Sequence, residues 1–117
     1  MIQVVIDDRG TNDTVVETLR SIPDVQVEIR RLALGDYEID GRLLFERKTL
    51  ADLSASITDG RLFQQACRLA SSTLSKALIL EGTSRDIPEG GVRREAIQGA
   101  LVHVTLFLGI LILRADG

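Results

Sequence analysis

A chain of 117 residues with 44% hydrophobic and 26% charged residues is long enough for one hydrophobic core, and its composition excludes intrinsic disorder. The formal net charge of -3 argues against a protein that coats nucleic acid nonspecifically, so any contact with DNA must be local. The single cysteine, Cys67, excludes an intramolecular disulfide and a cysteine zinc site, and it favours a reducing compartment such as the cytoplasm.

The first part of the chain predicts two strands separated by a helix. Ile2 to Ile6 is a short apolar run that ends in polar residues, as a buried strand does. This segment does not have the basic region followed by a longer apolar region that is typical of a secretory signal peptide, so secretion is not predicted. Apolar residues recur at helical spacing from Val15 to Ile22, and Pro23 ends this helix. Apolar and polar residues alternate from Val25 to Arg30, which predicts a half-buried strand.

The middle of the chain predicts a hairpin followed by two helices. Tyr37 to Asp40 is expected to pair with Leu43 to Lys48 around the turn Asp40-Gly41, one of the stronger short signals for a hairpin. From Thr49 to Ala70 the spacing of apolar residues is helical, with a break at Asp59-Gly60, so we expect two helices there.

The last part of the chain predicts two strands, with a polar loop and a long helix between them. Lys76 to Glu81 is apolar enough for a central strand, and Gly82 to Gly91 is a polar loop. Val92 to Leu108 carries a broad apolar stripe, and Gly109 ends this helix before a strand at Ile110 to Leu113. The order βαβββααβαβ predicts an α/β domain with a central mixed sheet flanked by helices.

The stretch from Leu101 to Leu113 is the most apolar part of the chain. It is shorter than the roughly 20 residues that a membrane-spanning helix needs, so we expect no membrane segment. We interpret this stretch as part of the core or of an interface. His103 lies within it without a second histidine or cysteine for metal binding, which favours a core or interface histidine.

Asp36, Glu46 and Lys48 are the residues whose pattern indicates chemistry. Glu46 and Lys48 are two apart on a predicted strand, so both side chains project from one face while Arg47 points away. Asp36 leads the opposite arm of the hairpin and can approach them. The competing interpretation is a turn aspartate beside solvated strand residues. The apolar flank Leu43-Leu44-Phe45 argues against it, because charges on a buried strand are costly without a purpose.

Hydrolysis of a phosphodiester bond needs these residue types close together. Two carboxylates can hold a hard divalent cation such as Mg²⁺, which stabilises charge on the phosphate and lowers the pKa of a bound water. A lysine ammonium can orient or help to deprotonate that water, or neutralise the transition state. Asp7, at the carboxyl end of the first strand, is a third candidate ligand.

Four blocks of the sequence resemble a known family in the family's own order. They are Val5-Ile6-Asp7-Asp8-Arg9, Gly35-Asp36-Tyr37, Glu46-Arg47-Lys48 followed by Asp52, and Asp59-Gly60-Arg61-Leu62-Phe63. Together they resemble the signature of the XPF-type (ERCC4-domain) structure-selective nucleases, which include the Hef nuclease.

This resemblance implies a restriction-endonuclease-like, PD-(D/E)XK fold that depends on Mg²⁺ or Mn²⁺ and cuts branched DNA such as flaps, forks and junctions. It also implies a homodimer or heterodimer formed through the last helix and strand, and an association with the nucleoid in a prokaryote. Carried over residue by residue, it marks a set of site positions. These are the metal ligands Asp36, Glu46 and Asp7, the catalytic Lys48 and Arg47, and the supporting Arg9 and Asp52.

Two departures from the family's pattern leave alternatives open. Gly10 stands where the family's first segment usually has Glu, so one acidic group near the metal is missing. We also expect residues 1–117 to be a single nuclease domain without the helix-hairpin-helix domain that relatives commonly carry. A catalytically inactive scaffold for DNA binding or dimerisation is therefore the main alternative, followed by an unrelated α/β protein-interaction domain.

Three further residues have both a functional and a structural interpretation. Asp52 either caps the helix that starts after Thr49 or supports the site, and it can do both. Arg47 either binds a DNA phosphate or forms an ion pair that holds its strand. Arg61 follows a turn glycine, where it either binds a DNA phosphate through two hydrogen bonds or is a solvated surface residue.

Overall fold

The computed structural model describes residues 1–88 and 91–115, and in these ranges the predicted order of strands and helices is confirmed. The strands, β1 to β6, are Ile2–Asp7, Val25–Arg30, Tyr37–Ile39, Leu43–Thr49, Ser75–Glu81 and Leu111–Ala115. The helices, α1 to α4, are Asp13–Ser21, Leu50–Thr58, Leu62–Ala70 and Arg94–Leu108. The predicted polar loop after β5 contains one turn of 3₁₀ helix at Ser84–Asp86, and its positions 89 and 90 lie outside the described residues.

The six strands form one mixed sheet in the order β2-β1-β3-β4-β5-β6. β3 and β4 pair antiparallel, with Tyr37 opposite Phe45, and β5 pairs in parallel with both β4 and β6. The predicted hairpin is therefore confirmed, and so is the interior position of β5. Asp40 and Gly41 have left-handed φ angles of 53° and 64°, and the Arg42 N–H donates to the carbonyl of Ile39 at 3.0 Å, so these two residues are the centre of a tight turn.

The helices divide between the two faces of the sheet. Helices α2, α3 and α4 cover one face and bury the larger core, in which Leu53 and Leu80 are fully buried. Helix α1 packs on the other face, where Val16 contacts Val4 and Ile6 of β1. Because α2 and α3 follow directly after β4, they form a wall beside the carboxyl end of that strand.

No helix in the described ranges is both long and apolar enough to cross a membrane.

Candidate active site

The residues that the sequence singled out line one open cleft of about 460 Å³. It lies at the edge of the sheet where β1 and β4 reach their carboxyl ends, on the face covered by α2 and α3. Its lining includes every predicted catalytic, metal-binding and supporting residue, and it also includes Gly10 and two polar residues of α3. The predicted residues are Asp7, Arg9, Asp36, Glu46, Arg47, Lys48 and Asp52, and the polar residues of α3 are Gln65 and Arg68.

Asp36 is fixed in the cleft by its backbone. Its N–H donates to the carbonyl of Phe45 at 2.8 Å, and its own carbonyl accepts from the N–H of Asp7 at 2.8 Å. The preceding Gly35 has a φ of +76°, and a Cβ there would lie 2.6 Å from the side chain of Leu44. Glycine is therefore required before Asp36, since any side chain would push the segment that carries Asp36 away from β4.

Asp36 and Glu46 are two half-buried carboxylates whose charged forms the site disfavours. Burial raises the pKa of Asp36, against the opposing effect of the Arg47 backbone N–H, which donates to Asp36 Oδ2 at 2.7 Å. Burial likewise raises the pKa of Glu46, and the negative charge of Asp36 raises it further. A site of this kind is stabilised by a bound cation, because the cation offsets both the burial and the repulsion.

Lys48 lies on the same face of β4 as Glu46 and is held by a neutral partner. Its Nζ donates to Gln65 Oε1 at 2.8 Å, and the same oxygen accepts from Ser56 Oγ at 3.2 Å. Burial lowers the pKa of the Lys48 ammonium, while the charges of Asp52 and Glu46 oppose that change. Among the described residues, Lys48 forms no salt bridge.

Gln65 was missed by the sequence analysis, although its position carried a signal. In α3 it lies between Leu62 and Leu69 in the helical repeat, on the side that faces the core. A polar residue at such a position needs a partner, and here the partners are Lys48 and Ser56.

Arg47 points to the opposite face of β4, as the strand alternation predicts. Its Nε and Nη2 donate to the two carboxylate oxygens of Glu81 on β5, and its Nη1 donates to Tyr37 Oη at 3.2 Å. Each partner favours the charge of the other: Glu81 raises the pKa of Arg47, and Arg47 lowers that of Glu81. Of the two roles left open by the sequence, the structure shows the ion pair, with a partner that the sequence did not identify.

Asp7 is buried and engaged by its neighbours. Its Oδ2 accepts from Arg9 Nε at 3.0 Å, and its Oδ1 accepts from Arg9 Nη2 at 3.1 Å and from the Leu32 N–H at 2.8 Å. These bonds, led by that from the Arg9 side chain, lower the pKa of Asp7 to about 2 despite its burial.

The expectation that Asp7 is a third metal ligand stays a prediction. In the described ranges, no group of three or more His, Cys, Asp and Glu side chains is arranged to hold a metal ion. Both carboxylate oxygens of Asp7 accept hydrogen bonds from its neighbours. Asp7 thereby holds Arg9, whose guanidinium also donates to the carbonyl of Leu32 at 2.7 Å and is half exposed on the cleft wall.

Comparison with known proteins identifies the family. The ERCC4 domain family matches residues 6–117. The chain belongs to the ERCC4 domain family. It is 31% identical to the 3'-flap repair endonuclease Xpf of Saccharolobus solfataricus, over 91% of this chain and 45% of that protein. It is 29% identical to the crossover junction endonuclease MUS81 of Arabidopsis thaliana, over 97% of this chain and 20% of that protein.

Solved structures confirm the fold. XPF from Aeropyrum pernix in complex with DNA superposes on this ERCC4 domain with a TM-score of 0.80 at 32% identity, over 99% of this chain and 57% of that one. The predicted α/β, restriction-endonuclease-like fold is therefore correct. The chain spans less than half the length of the Xpf and MUS81 relatives.

The remaining site residues of the ERCC4 domain lie around the rim of the cleft. The Asp52 N–H donates to Thr49 Oγ1 at 3.0 Å, so Thr49 caps α2 and Asp52 lies in the first turn of that helix, where it lines the cleft. Arg61 pairs with Asp59 at 3.1 Å, and both side chains are about half exposed. Arg68, an exposed cation that the sequence analysis missed, lies on the α3 wall and acts on the charge of Glu46.

Proposed function

We propose that this ERCC4 domain is a metal-dependent endonuclease that hydrolyses phosphodiester bonds in branched DNA such as flaps, forks and junctions. The observation that carries the proposal is the pair of half-buried carboxylates, Asp36 and Glu46, beside the Lys48 ammonium in one open cleft. The names of the relatives support it, since one is a 3'-flap repair endonuclease and another a crossover junction endonuclease. Activity on chromosomal DNA would place the protein in the cytoplasm, at the nucleoid in a prokaryote.

The donor set in the cleft fits Mg²⁺ or Mn²⁺. Asp36 and Glu46 would hold the ion, and two carboxylates suffice because Mg²⁺ keeps several waters and takes further oxygens from a phosphate. Burial disfavours the charged form of both carboxylates, and the charge of Asp36 also disfavours that of Glu46. A bound divalent ion would offset both effects. When bound, the ion would polarise the phosphate and lower the pKa of a water.

The side chains of the chain itself would bind and orient the DNA. Lys48 has ammonium hydrogens beyond the one given to Gln65, and these can contact a phosphate oxygen or the attacking water. Arg9, held by Asp7, offers its exposed face to a second phosphate. Arg68 and Arg61 extend the positive charge along α3 for the strand beyond.

A cleavage assay tests this function. End-labelled flap, fork and plain duplex DNA are incubated with the protein and Mn²⁺, and the initial rates are compared with those of Asp36→Asn and Glu46→Gln. We expect cleavage of branched substrates that falls by about 100-fold or more in both variants. Glu17→Gln, which changes an exposed carboxylate on α1, is the control and should cut at the wild-type rate. Equal cleavage by all four proteins would show that another site, or a contaminant, is responsible.

We also propose that α4 and β6 form a dimer interface, with a second copy or a partner of the same fold. Leu106 and Phe107 on α4 are 73% and 76% exposed, and Leu111 on β6 is 58% exposed. Exposed apolar patches of this kind mark interfaces in folded proteins. Light scattering on the wild type and on Leu106→Glu tests this: a homodimer predicts a halved mass for the variant, and a monomeric wild type would exclude self-association.

A catalytically inactive scaffold remains the second candidate because of Gly10. Gly10 lines the cleft without a side chain at the position where the family resemblance implies Glu, and the nearby Asp7 accepts hydrogen bonds from Arg9. A scaffold would not cut branched DNA in the assay above, would bind the same labelled DNA in a gel-shift experiment, and would not bind Mn²⁺ at Asp36 and Glu46.

A further inference from the structure

We infer that Gln65 is a positioning residue that holds the Lys48 ammonium in the cleft, an inference that rests on the proposed nuclease function. Three elements meet at one atom: Gln65 Oε1, from α3, accepts from Lys48 Nζ on β4 at 2.8 Å and from Ser56 Oγ on α2 at 3.2 Å. Ser56 is 1% exposed, so the acceptor is anchored from inside the protein.

The second bond makes the arrangement specific. A buried hydroxyl is costly without a partner, so the Ser56 Oγ favours the one rotamer of Gln65 that presents Oε1 to it. The same rotamer presents Oε1 to Lys48. The packing of α2 and α3 therefore determines the position of the Lys48 ammonium, together with the conformation of the flexible lysine side chain.

A neutral acceptor also preserves the chemistry of the site. Lys48 lies between Glu46 and Asp52, whose charges both act on it. A lysine stem is long and flexible, so without Gln65 the ammonium is free to turn toward either carboxylate. Pairing with Glu46 would occupy a proposed ion ligand, and pairing with Asp52 would withdraw the ammonium from the phosphate. The amide oxygen holds Lys48 without neutralising it.

Kinetics on branched DNA test the inference. Gln65→Met keeps the length of the side chain and removes the acceptor, and Gln64→Met makes the same change at an exposed position one residue earlier on α3. We expect kcat to fall by about 10- to 100-fold in Gln65→Met with KM within about twofold, because a misplaced group costs chiefly the chemical step. Ser56→Ala should give a smaller fall, and Gln64→Met none.

NMR of the lysine ammonium groups supplies a readout that needs no activity. The chain contains two lysines, Lys48 and Lys76, and the Lys76 Nζ donates to the carbonyls of Ala70 and Ser72, so it serves as an internal reference. In ¹⁵N-lysine protein, we expect the Lys48 ammonium to be restrained in the wild type and mobile in Gln65→Met, with Lys76 unchanged. Gln65→Glu retains an acceptor and should restore the restraint.

The two readouts separate the inference from the proposed function. A Lys48 ammonium equally restrained in Gln65→Met, or an unchanged kcat in that variant, would overturn the positioning role. A wild type that cuts no branched DNA would instead overturn the proposed function, and the ammonium mobility would still decide whether Gln65 holds Lys48.

Discussion

Removal of the Glu81 carboxylate should destabilise the domain far more than loss of an ordinary surface ion pair. The side chains of Arg47 and Glu81 are 30% and 19% exposed, and both carboxylate oxygens accept from the guanidinium. Exposed pairs contribute about 0 to 1 kcal/mol, whereas breaking a fully buried pair costs about 3 to 5 kcal/mol. For this partly buried pair, we expect Glu81→Gln to lower the free energy of unfolding by about 1 to 3 kcal/mol.

Urea unfolding of a double-mutant cycle measures the effect. The cycle compares the wild type, Glu81→Gln, Arg47→Met and the double variant, and the expected coupling energy is about 1 to 2 kcal/mol. For a domain of this length, each kcal/mol corresponds to about 4 °C in Tm. A coupling energy within about 0.3 kcal/mol of zero would refute the claim that this pair ties β4 to β5.

The pH dependence of the same variant has a defined sign. Arg47 lowers the pKa of Glu81 from its ordinary value of 4.5, so the stabilisation is fully present above pH 4.5 and is lost as the pH falls through the lower value. The stability difference between wild type and Glu81→Gln should therefore be largest at neutral pH and shrink in acid. A difference that stays constant down to acid pH would contradict the charge-based explanation.

Three other substitutions test separate parts of the account. Gly10→Glu should strengthen Mn²⁺ binding by about tenfold, because it adds a carboxylate to the cleft at a position where a Cβ meets no atom within 4 Å. Calorimetry that finds no gain would show that this position does not face the ion. Asp7→Asn should lower the free energy of unfolding by about 1 to 3 kcal/mol, because Arg9 and the Leu32 N–H lose a charged acceptor. Urea unfolding curves that match the wild type would contradict this. Gly35→Ala should lower the free energy of unfolding by about 1 to 3 kcal/mol and distort the cleft, because the φ of +76° is strained for alanine and the close Leu44 side chain leaves no room for a methyl group. The Tm and the cleavage rate of the variant measure these two effects.

Local signals were enough to predict the elements and the centre of the site. Apolar runs and the spacing of apolar residues predicted the strands and α-helices, and Asp40-Gly41 predicted the hairpin that places Asp36 beside β4. The alternation along β4 predicted that Glu46 and Lys48 share a face that Arg47 does not. These relations involve residues that are close in sequence or joined by one tight turn.

Contacts between distant segments could not be predicted in the same way. Glu81 meets Arg47 across 34 positions of sequence, and the contact depends on the parallel register of β4 and β5. Gln65 reaches Lys48 only because α3 packs on that face of the sheet. The end of β1 drew attention to Asp7, but its hydrogen bond from the N–H of Leu32, 25 positions away, could not be predicted from the strand pattern.

Calorimetric titration of Mn²⁺ into the protein tests most directly whether Asp36 and Glu46 hold a divalent ion. The wild type and Glu17→Gln should each bind Mn²⁺ in the cleft, and Asp36→Asn and Glu46→Gln should bind it about 10- to 100-fold more weakly or not at all. Circular dichroism of each variant establishes that it is folded. Equal Mn²⁺ affinity in all four folded proteins, or none in the wild type, would contradict the assignment of these two carboxylates.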